Sequence, residues 1–134
     1  MKRYVTDTQC LLWYMAEDRR LPRATRPIFR AAEEGRAQIL VPSIVMVEAI
    51  FLLQRQRVVE SVISQLMQLT EETTSNFCVT PLNMTVVQSL RDFGPAAVPE
   101  LSDRIIAATA RAFELPLLTT DWVIEASGLV TVIN

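Results

Sequence analysis

Residues 3–8 read Arg-Tyr-Val-Thr-Asp-Thr, and this short stretch decides how the rest of the chain is interpreted. Tyr4, Val5 and Thr6 favour a β-strand, since aromatic and β-branched side chains fit a pleated sheet. Asp7 ends the run, and an amphipathic segment with apolar residues 11–13 follows at once. The pattern predicts a strand that runs directly into a helix. Asp7 at this junction is either a helix N-cap or part of a site, because ligands of open parallel sheets bind beyond the carboxyl ends of the strands.

The alternation of strand and helix continues along all 134 residues. Further strands are predicted at residues 38–41, 77–80, 115–119 and 130–133. Helices are predicted at residues 9–16, 24–34, 43–55, 58–70, 83–92 and 102–113, with a short last helix opened by Asp121. This order predicts an α/β fold of three layers, in which a central, mainly parallel sheet of about five short strands is flanked by helices. The length suits a single domain that spans residues 1–134.

The chain contains no histidine, and this excludes several classes of enzyme. Nucleophile systems of the Ser-His-Asp and Cys-His types lose their base. A zinc site would need the only two cysteines plus carboxylates, which is not a usual ligand set. Acid–base or metal chemistry must therefore rest on carboxylates, which select hard cations such as Mg²⁺ or Mn²⁺.

Apolar segments give no sign of a membrane protein. The longest, residues 39–53, is interrupted by Pro42, Ser43 and Glu48 and is too short to span a bilayer. Asp7 falls where a signal peptide needs an uninterrupted apolar core. We therefore expect a cytoplasmic protein without a membrane partner, whose cysteines are reduced core thiols.

Glu48 is the only charged residue between positions 39 and 53. A carboxylate is costly to bury unless it is paired or bound to metal. Glu48 therefore either meets a cation such as Arg55, points outward, or belongs to a site.

Asp103 and Asp121 repeat the arrangement of Asp7. Asp103 lies at the start of a predicted helix, after a loop with Gly94 and Pro99, and Asp121 follows an apolar strand. Both residues could simply favour a helix N-terminus. Junctions of this kind in one parallel sheet can instead bring carboxylates side by side, with Thr119 and the neighbouring Thr120 as hydrogen-bond donors that orient them.

Four runs, in chain order, carry a resemblance to a known family. They are Asp-Thr-Gln-Cys-Leu-Leu-Trp at 7–13, Pro-Ser-Ile-Val-Met-Val-Glu at 42–48, Ser-Asp-Arg-Ile-Ile-Ala-Ala-Thr-Ala at 102–110 and Leu-Leu-Thr-Thr-Asp at 117–121. Together they resemble the successive motifs of PIN-domain ribonucleases, and most of all the VapC-type toxins of bacterial toxin–antitoxin pairs. The resemblance spans nearly the whole chain.

The resemblance implies a metal-dependent endoribonuclease with an acidic catalytic set. It assigns catalysis to Asp7, Glu48, Asp103 and Asp121. It also implies that Asp7, Asp103 and Asp121 hold Mg²⁺ (or Mn²⁺), supported by the hydroxyls of Thr119 and Thr8. Gln9 departs from many relatives, which carry histidine there. The implied partners are an RNA substrate, a cognate antitoxin and a second copy of the chain in a homodimer.

Two other functions stay open at this stage. One is an RNA-processing PIN nuclease without an antitoxin, and the other is a catalytically silent PIN-like module that binds RNA or protein. A phosphoacceptor receiver domain is excluded because the only lysine is Lys2, whereas such a domain needs one late in the chain. A phosphatase with an aspartyl nucleophile usually has a second aspartate two residues on, where this chain has Gln9.

Positive charge is concentrated in the first part of the chain. Residues 1–57 hold ten basic against six acidic residues, a net of +4, whereas residues 58–134 hold three against nine, a net of −6. Four clustered arginines are predicted to bind RNA, because guanidinium groups suit phosphate oxygens. They are Arg19, Arg20, Arg23 and Arg26. The alternative is an ordinary solvated face.

Residues 58–69 have an unusually broad apolar face for one helix. This face is predicted either to cover a dimer seam, to receive an apolar segment of an antitoxin, or to pack in the core.

Overall fold

A computed structural model describes residues 1–72 and 75–134. Within them, five strands pair in parallel in the order β3-β2-β1-β4-β5. They are β1 (Lys2–Thr6), β2 (Ala37–Pro42), β3 (Phe77–Thr80), β4 (Leu117–Leu118) and β5 (Val132–Ile133). The chain builds outward from β1 in one direction through β2 and β3, then returns to place β4 on the other side of β1. The junction of β1 and β4 is therefore the topological switch point, where an open parallel sheet forms a crevice.

Seven α-helices connect the strands of the described residues. They are α1 (Thr8–Met15), α2 (Arg26–Glu33), α3 (Ser43–Gln54), α4 (Glu60–Glu71), α5 (Met84–Ser89), α6 (Leu101–Phe113) and α7 (Trp122–Ser127), and a 3₁₀ turn, Leu90–Asp92, follows α5. In β2 the successive side chains of Ile39, Leu40 and Val41 are all buried. Successive residues of a strand face opposite sides of the sheet, so both faces are covered. The predicted α/β architecture, with a parallel five-stranded sheet flanked by helices, is confirmed.

Three helices begin at the side-chain caps that the sequence indicated. The carboxylate of Asp7 accepts a hydrogen bond from the Cys10 amide, Asn83 accepts one from the Val86 amide, and Asp121 caps α7 in the same way. Each cap satisfies amide groups that have no partner within the helix. Gly35 has a φ of 78°, the left-handed conformation expected of a residue that ends α2.

The segment between α3 and α4 differs from the prediction. The sequence indicated a helix from residue 58, but α4 begins at Glu60, and Val59 is extended. Gln56 has a φ of 59°, which breaks the helical path after α3. The chain therefore turns between the two helices.

The broad apolar face of residues 58–69 is used mostly by the core. Val62, Ile63 and Leu66 are buried, and three other apolar residues of this face are partly buried and pack against the core. Val59 alone of the predicted face is a large exposed side chain, with 64% of its surface accessible. Of the three alternatives, core packing is therefore the main role of this face, and a partner at its exposed part stays a prediction.

The core is apolar, and its thiols are unpaired. Phe29 is fully buried and stacks on Tyr14 with ring centroids 4.8 Å apart. Cys10 and Cys78 are free cysteines, and burial raises the pKa of the Cys10 thiol. Within the described residues, none of the helices combines the length and apolar character needed to cross a bilayer.

Candidate active site

The candidate site lies where β1 and β4 end side by side. Val5 is paired with Leu117, and Thr6 with Leu118. The Asp7 amide continues this pairing by donating to the Leu118 carbonyl oxygen over 3.1 Å. The next residues on the two strands, Asp7 and Thr119, therefore face one another across the switch point.

Thr119 connects two of the predicted carboxylate residues. Its Oγ1 donates a hydrogen bond of 2.5 Å to Asp7 Oδ2 and accepts one of 3.0 Å from the Asp121 amide. Thr119 is fully buried. Asp121 Oδ1 accepts from the amides of Val123 and Ile124, which fixes it at the start of α7. The hydroxyl of Thr119 is thus in the position expected of a supporting residue, and its part in catalysis stays a prediction.

Glu48 is held by two hydroxyl groups. Thr8 Oγ1 donates to Glu48 Oε1 over 2.6 Å, and Ser102 Oγ donates to Glu48 Oε2 over 3.1 Å. Glu48, the carboxylate of the apolar helix α3, is therefore stabilised by hydrogen bonds from neutral donors. The two bonds also join α1 and α6 to α3, because Thr8 opens α1 and Ser102 lies in the first turn of α6.

A cavity of about 300 Å³ opens between these elements. Asp7, Glu48 and Asp103 contribute three carboxylates to its wall. The remaining lining residues are Thr8, Gln9, Phe51, Leu52, Arg55 and Ile106. Asp121 is outside this lining, although it lies close enough to Asp7 and Asp103 to affect their ionisation. The structure therefore brings three of the four predicted catalytic residues to one cavity and the fourth to its border.

Two of the carboxyls have raised pKa values. Burial, reinforced by the negative charges of Asp121, Glu100 and Glu48, raises the pKa of Asp103 to about 7. Burial is also the largest cause of the raised pKa of Asp7, and hydrogen bonds from Thr119 and Cys10 oppose it. Desolvation raises the pKa of each carboxyl more than repulsion from the neighbouring carboxylates does. Raised carboxyl pKa values in a cleft are typical of functional sites.

The carboxylates suit a hard cation by their chemistry, although they do not enclose one. Across residues 1–72 and 75–134, no three cysteine, aspartate or glutamate side chains are grouped closely enough to hold one metal ion together. Mg²⁺ in proteins commonly takes only one or two carboxylates and fills its other positions with water and substrate phosphate. The oxygen ligands at the cavity therefore fit such an ion, and the assignment of Asp7, Asp103 and Asp121 as metal ligands stays a prediction.

A comparison with protein-family models identifies the family. The model of the PIN domain matches residues 4–127. This chain belongs to the PIN domain family. A search of curated proteins found no match.

Solved structures share the fold of this PIN domain at low sequence identity. A chain of VapBC2 from Rickettsia felis bound to a promoter DNA fragment has a TM-score of 0.74 at 14% identity, covering 98% of both chains. A chain of FitAcB from Neisseria gonorrhoeae has a TM-score of 0.66 at 16% identity, covering 98% of this chain and 96% of the other. A chain of a toxin–antitoxin complex from Klebsiella pneumoniae has a TM-score of 0.64 at 18% identity, with the same coverage.

The four predicted RNA-binding arginines follow α1, whose eight residues separate them from Asp7 in the sequence. Arg20 lines a smaller cavity that shares Gln9 with the acidic cavity of the PIN domain. Arg20 pairs with Asp18 over 2.7 Å and lies over the Trp13 ring, and Arg26 donates to the Asp18 carbonyl. Arg19 and Arg23 are exposed. None of these described arginines lines the acidic cavity.

Sequence reasoning missed three residues of the site. Arg55 and Phe51 line the cavity, and Ser102 holds Glu48. Phe51 and Arg55 follow Glu48 at three and seven positions, the spacing of one helix face, so the helical period of α3 was the signal that would have found them. Ser102 could be found only from the approach of α6 to α3, which local sequence does not encode.

The raised pKa of Asp103 predicts how the metal-free PIN domain responds to pH. The folded pKa, about 7, lies above the unfolded value of about 3.9. The stability contributed by the protonated carboxyl is therefore fully present below the unfolded pKa and is lost as pH rises through the folded pKa. With a chelator present, the melting temperature of the wild type should fall more steeply between about pH 4 and 7 than that of Asp103→Asn, which cannot ionise at this position.

Glu71→Gln is the matched control, because Glu71 is an exposed carboxylate at the end of α4, away from the cavity. It should keep the pH dependence of the wild type. Melting curves with equal slopes for the wild type and Asp103→Asn would contradict the assignment of a neutral-range pKa to Asp103.

Proposed function

We propose that this PIN domain is a divalent-metal-dependent endoribonuclease that hydrolyses RNA phosphodiester bonds, and that it is the toxin of a toxin–antitoxin pair. The observation that carries the proposal is the gathering of Asp7, Glu48 and Asp103 at one cavity, with Asp121 at its border. Four elements supply these carboxylates at the switch point of the sheet, the usual place for a ligand. The family match gives independent support.

The proposed cofactor is Mg²⁺ or Mn²⁺, held by Asp7, Asp103 and Asp121. Such an ion, when bound, lowers the pKa of a water molecule and stabilises charge on the scissile phosphate. Thr119 orients Asp7 through its short hydrogen bond. Thr8 and Ser102 hold Glu48, so that both of its oxygens have a fixed direction.

Asp103 is the better candidate for accepting the proton of the attacking water. Asp103 lines the acidic cavity, where a water molecule can approach it, whereas Asp121 lies outside the lining. Asp121, the other candidate, already accepts two backbone hydrogen bonds at Oδ1. Its freedom to turn toward a water molecule is correspondingly smaller.

An antitoxin partner is proposed because chains with a similar fold were solved in complexes with other proteins. The similar chains come from complexes described as VapBC2, FitAcB and a toxin–antitoxin complex. An RNA-processing nuclease without an antitoxin and a silent binding module are the alternatives. A small neighbouring reading frame that encodes a DNA-binding protein favours the toxin, and cleavage that depends on the carboxylates rules out the silent module.

Neutralising single carboxylates should abolish cleavage while leaving the fold intact. Asp7→Asn and Asp103→Asn keep the side-chain volume but remove the charge that attracts the cation. We expect a loss of at least about 100-fold in kcat, measured on structured RNA with Mg²⁺ or Mn²⁺. Mg²⁺ should also stabilise the wild type, by about 2.7 kcal/mol at a hundred times its Kd, and should stabilise Asp7→Asn less.

Glu71→Gln is again the control, since it removes one exposed carboxylate outside the cavity. Wild-type rates in Asp7→Asn or Asp103→Asn would remove the ribonuclease assignment. A melting temperature that does not change with Mg²⁺ would remove the metal site.

The path of RNA is proposed to follow arginines near the cavity. A second cavity of about 220 Å³ is lined by Arg20 and Arg57, and it shares Gln9 with the acidic cavity, which holds Arg55. If these three guanidinium groups contact phosphate, single-strand binding should weaken with salt at a log–log slope of about −2. Replacing all three by alanine should flatten that slope and raise KM.

A second triple variant, Arg19, Arg23 and Arg26 to alanine, removes the same charge from the rest of the predicted cluster. It separates the effect of net charge from that of position. A flattened slope in this variant alone would place the RNA along the cluster after α1, as the sequence indicated.

We also propose a homodimer, with its seam at the edge strand β3 and at α5. Exposed apolar side chains gather there instead of on α4: Val79, Leu82, Met84 and Val87. Met84→Glu should shift sedimentation toward monomer without loss of folding, since an acidic residue in the first turn suits the helix dipole of α5. Val59→Glu tests the seam that the sequence indicated and should leave the dimer intact. Sedimentation that responds to Val59→Glu and not to Met84→Glu would contradict the β3 seam.

A further inference from the structure

Large apolar side chains are exposed beside the predicted carboxylates. Trp122 has 74% of its surface accessible and directly follows Asp121, while Phe51 has 60% accessible and lies three residues after Glu48. Val47 and Leu101 are also exposed next to the site. Exposed large apolar groups that gather in one place mark interaction surfaces. Three elements, α3, α6 and α7, contribute to this one.

Trp122 and Phe51 are not needed for the packing of their helices. In α7 the residue that enters the core is Ile124, and Asp121 supplies the cap. In α3 the buried residues are Val45 and Ala49. Phe51 lies on the other face, where it forms part of the cavity wall. Both aromatic side chains are therefore largely exposed, Phe51 in the cavity wall and Trp122 next to Asp121 at the start of α7.

We propose that Trp122 and Phe51 stack on unpaired nucleobases of RNA bound at the acidic cavity. This proposal rests on the proposed ribonuclease function. Among the residues that line the acidic cavity, Arg55 is the one basic side chain, so few charged contacts to phosphate are available there. Stacking between a base and an aromatic ring carries no net charge and is available only to bases outside a duplex. The rings of Trp122 and Phe51 therefore add contacts to the bases of the RNA, which arginines bound to phosphate do not make.

The other possible occupant of these exposed rings is an apolar segment of a protein partner. A protein segment would gain from any large apolar side chain at position 122, whereas a nucleobase needs a planar ring. Trp122→Leu separates the two, because leucine keeps the apolar surface and loses the aromatic face.

Binding is measured with a single-stranded hexaribonucleotide, with the same strand made abasic, and with the same sequence in a duplex. The Asp103→Asn background suppresses cleavage, and Trp13→Phe leaves Trp122 as the one tryptophan of the two in the chain. The single strand should quench Trp122 fluorescence, and the abasic strand and the duplex should not. Trp122→Ala and Phe51→Ala should each weaken single-strand binding by an order of magnitude, roughly tenfold.

The dependence on salt distinguishes stacking from a structural role. Trp122→Ala should lower affinity without changing the log–log salt slope, because no phosphate contact is lost. Trp122→Phe should restore most of the affinity, and Trp122→Leu should not. Phe113→Ala is the matched control: Phe113 is an exposed aromatic residue at the far end of α6, about 18 Å from the start of that helix.

Wild-type affinity in Trp122→Leu, or equal quenching by the intact and abasic strands, would overturn the proposal. If cleavage depends on the carboxylates but Trp122→Ala and Phe51→Ala bind as the wild type does, stacking is wrong and the ribonuclease stands. If no RNA is cleaved but binding still depends on Trp122, the ribonuclease assignment fails and stacking stands.

Discussion

The hydrogen bond from Thr119 to Asp7 is the contact on which the candidate site depends. It joins the residues that follow β1 and β4, which are neighbouring parallel strands at the switch point of the sheet. The same hydroxyl accepts from the Asp121 amide, so one buried oxygen contacts both the carboxylate of Asp7 and the backbone of Asp121. A side chain without a hydroxyl at this place would leave a desolvated carboxylate oxygen without its donor, which is costly. The geometry of the site thus follows from the pairing of two short strands.

Neutral donors, rather than cations, satisfy the carboxylates at this junction. Hydroxyl and amide groups bind the oxygens of Asp7 and Glu48. The ion pairs of the described residues, such as Arg111 with Asp92, lie outside the cavity. An arginine partner would have cancelled the negative charge, whereas a hydroxyl orients an oxygen and leaves the charge in place. The cavity therefore retains its attraction for a cation, at the expense of raised pKa values for Asp7 and Asp103.

Local signals explain why much of this fold was predictable. Each junction of strand, acidic residue and helix is determined by a few adjacent residues, as at Asp7 and Asp121. The alternation of strands and helices then indicates a parallel sheet. The start of α4 was not predictable, because the left-handed residue before it is Gln56 and not the glycine that usually indicates this conformation. The hydrogen bond of Ser102 to Glu48 depends on how α6 and α3 approach one another. The pKa of Asp103 depends on burial and on the charges of Asp121 and Glu48, which are distant from it in the sequence.

The strand β4 is only two residues long, and this affects how firmly the site is held together. Four residue pairs join β1 to β2, but only two join β1 to β4. Segments with fewer ladder bonds open at lower free energy than the rest of a domain. Leu117, Leu118 and Thr119 are nevertheless fully buried, so β4 is held by the core around it as well as by its own hydrogen bonds. The geometry of the site therefore depends on side-chain packing around a very short strand, and amide exchange in β4 measures how firmly that packing holds it.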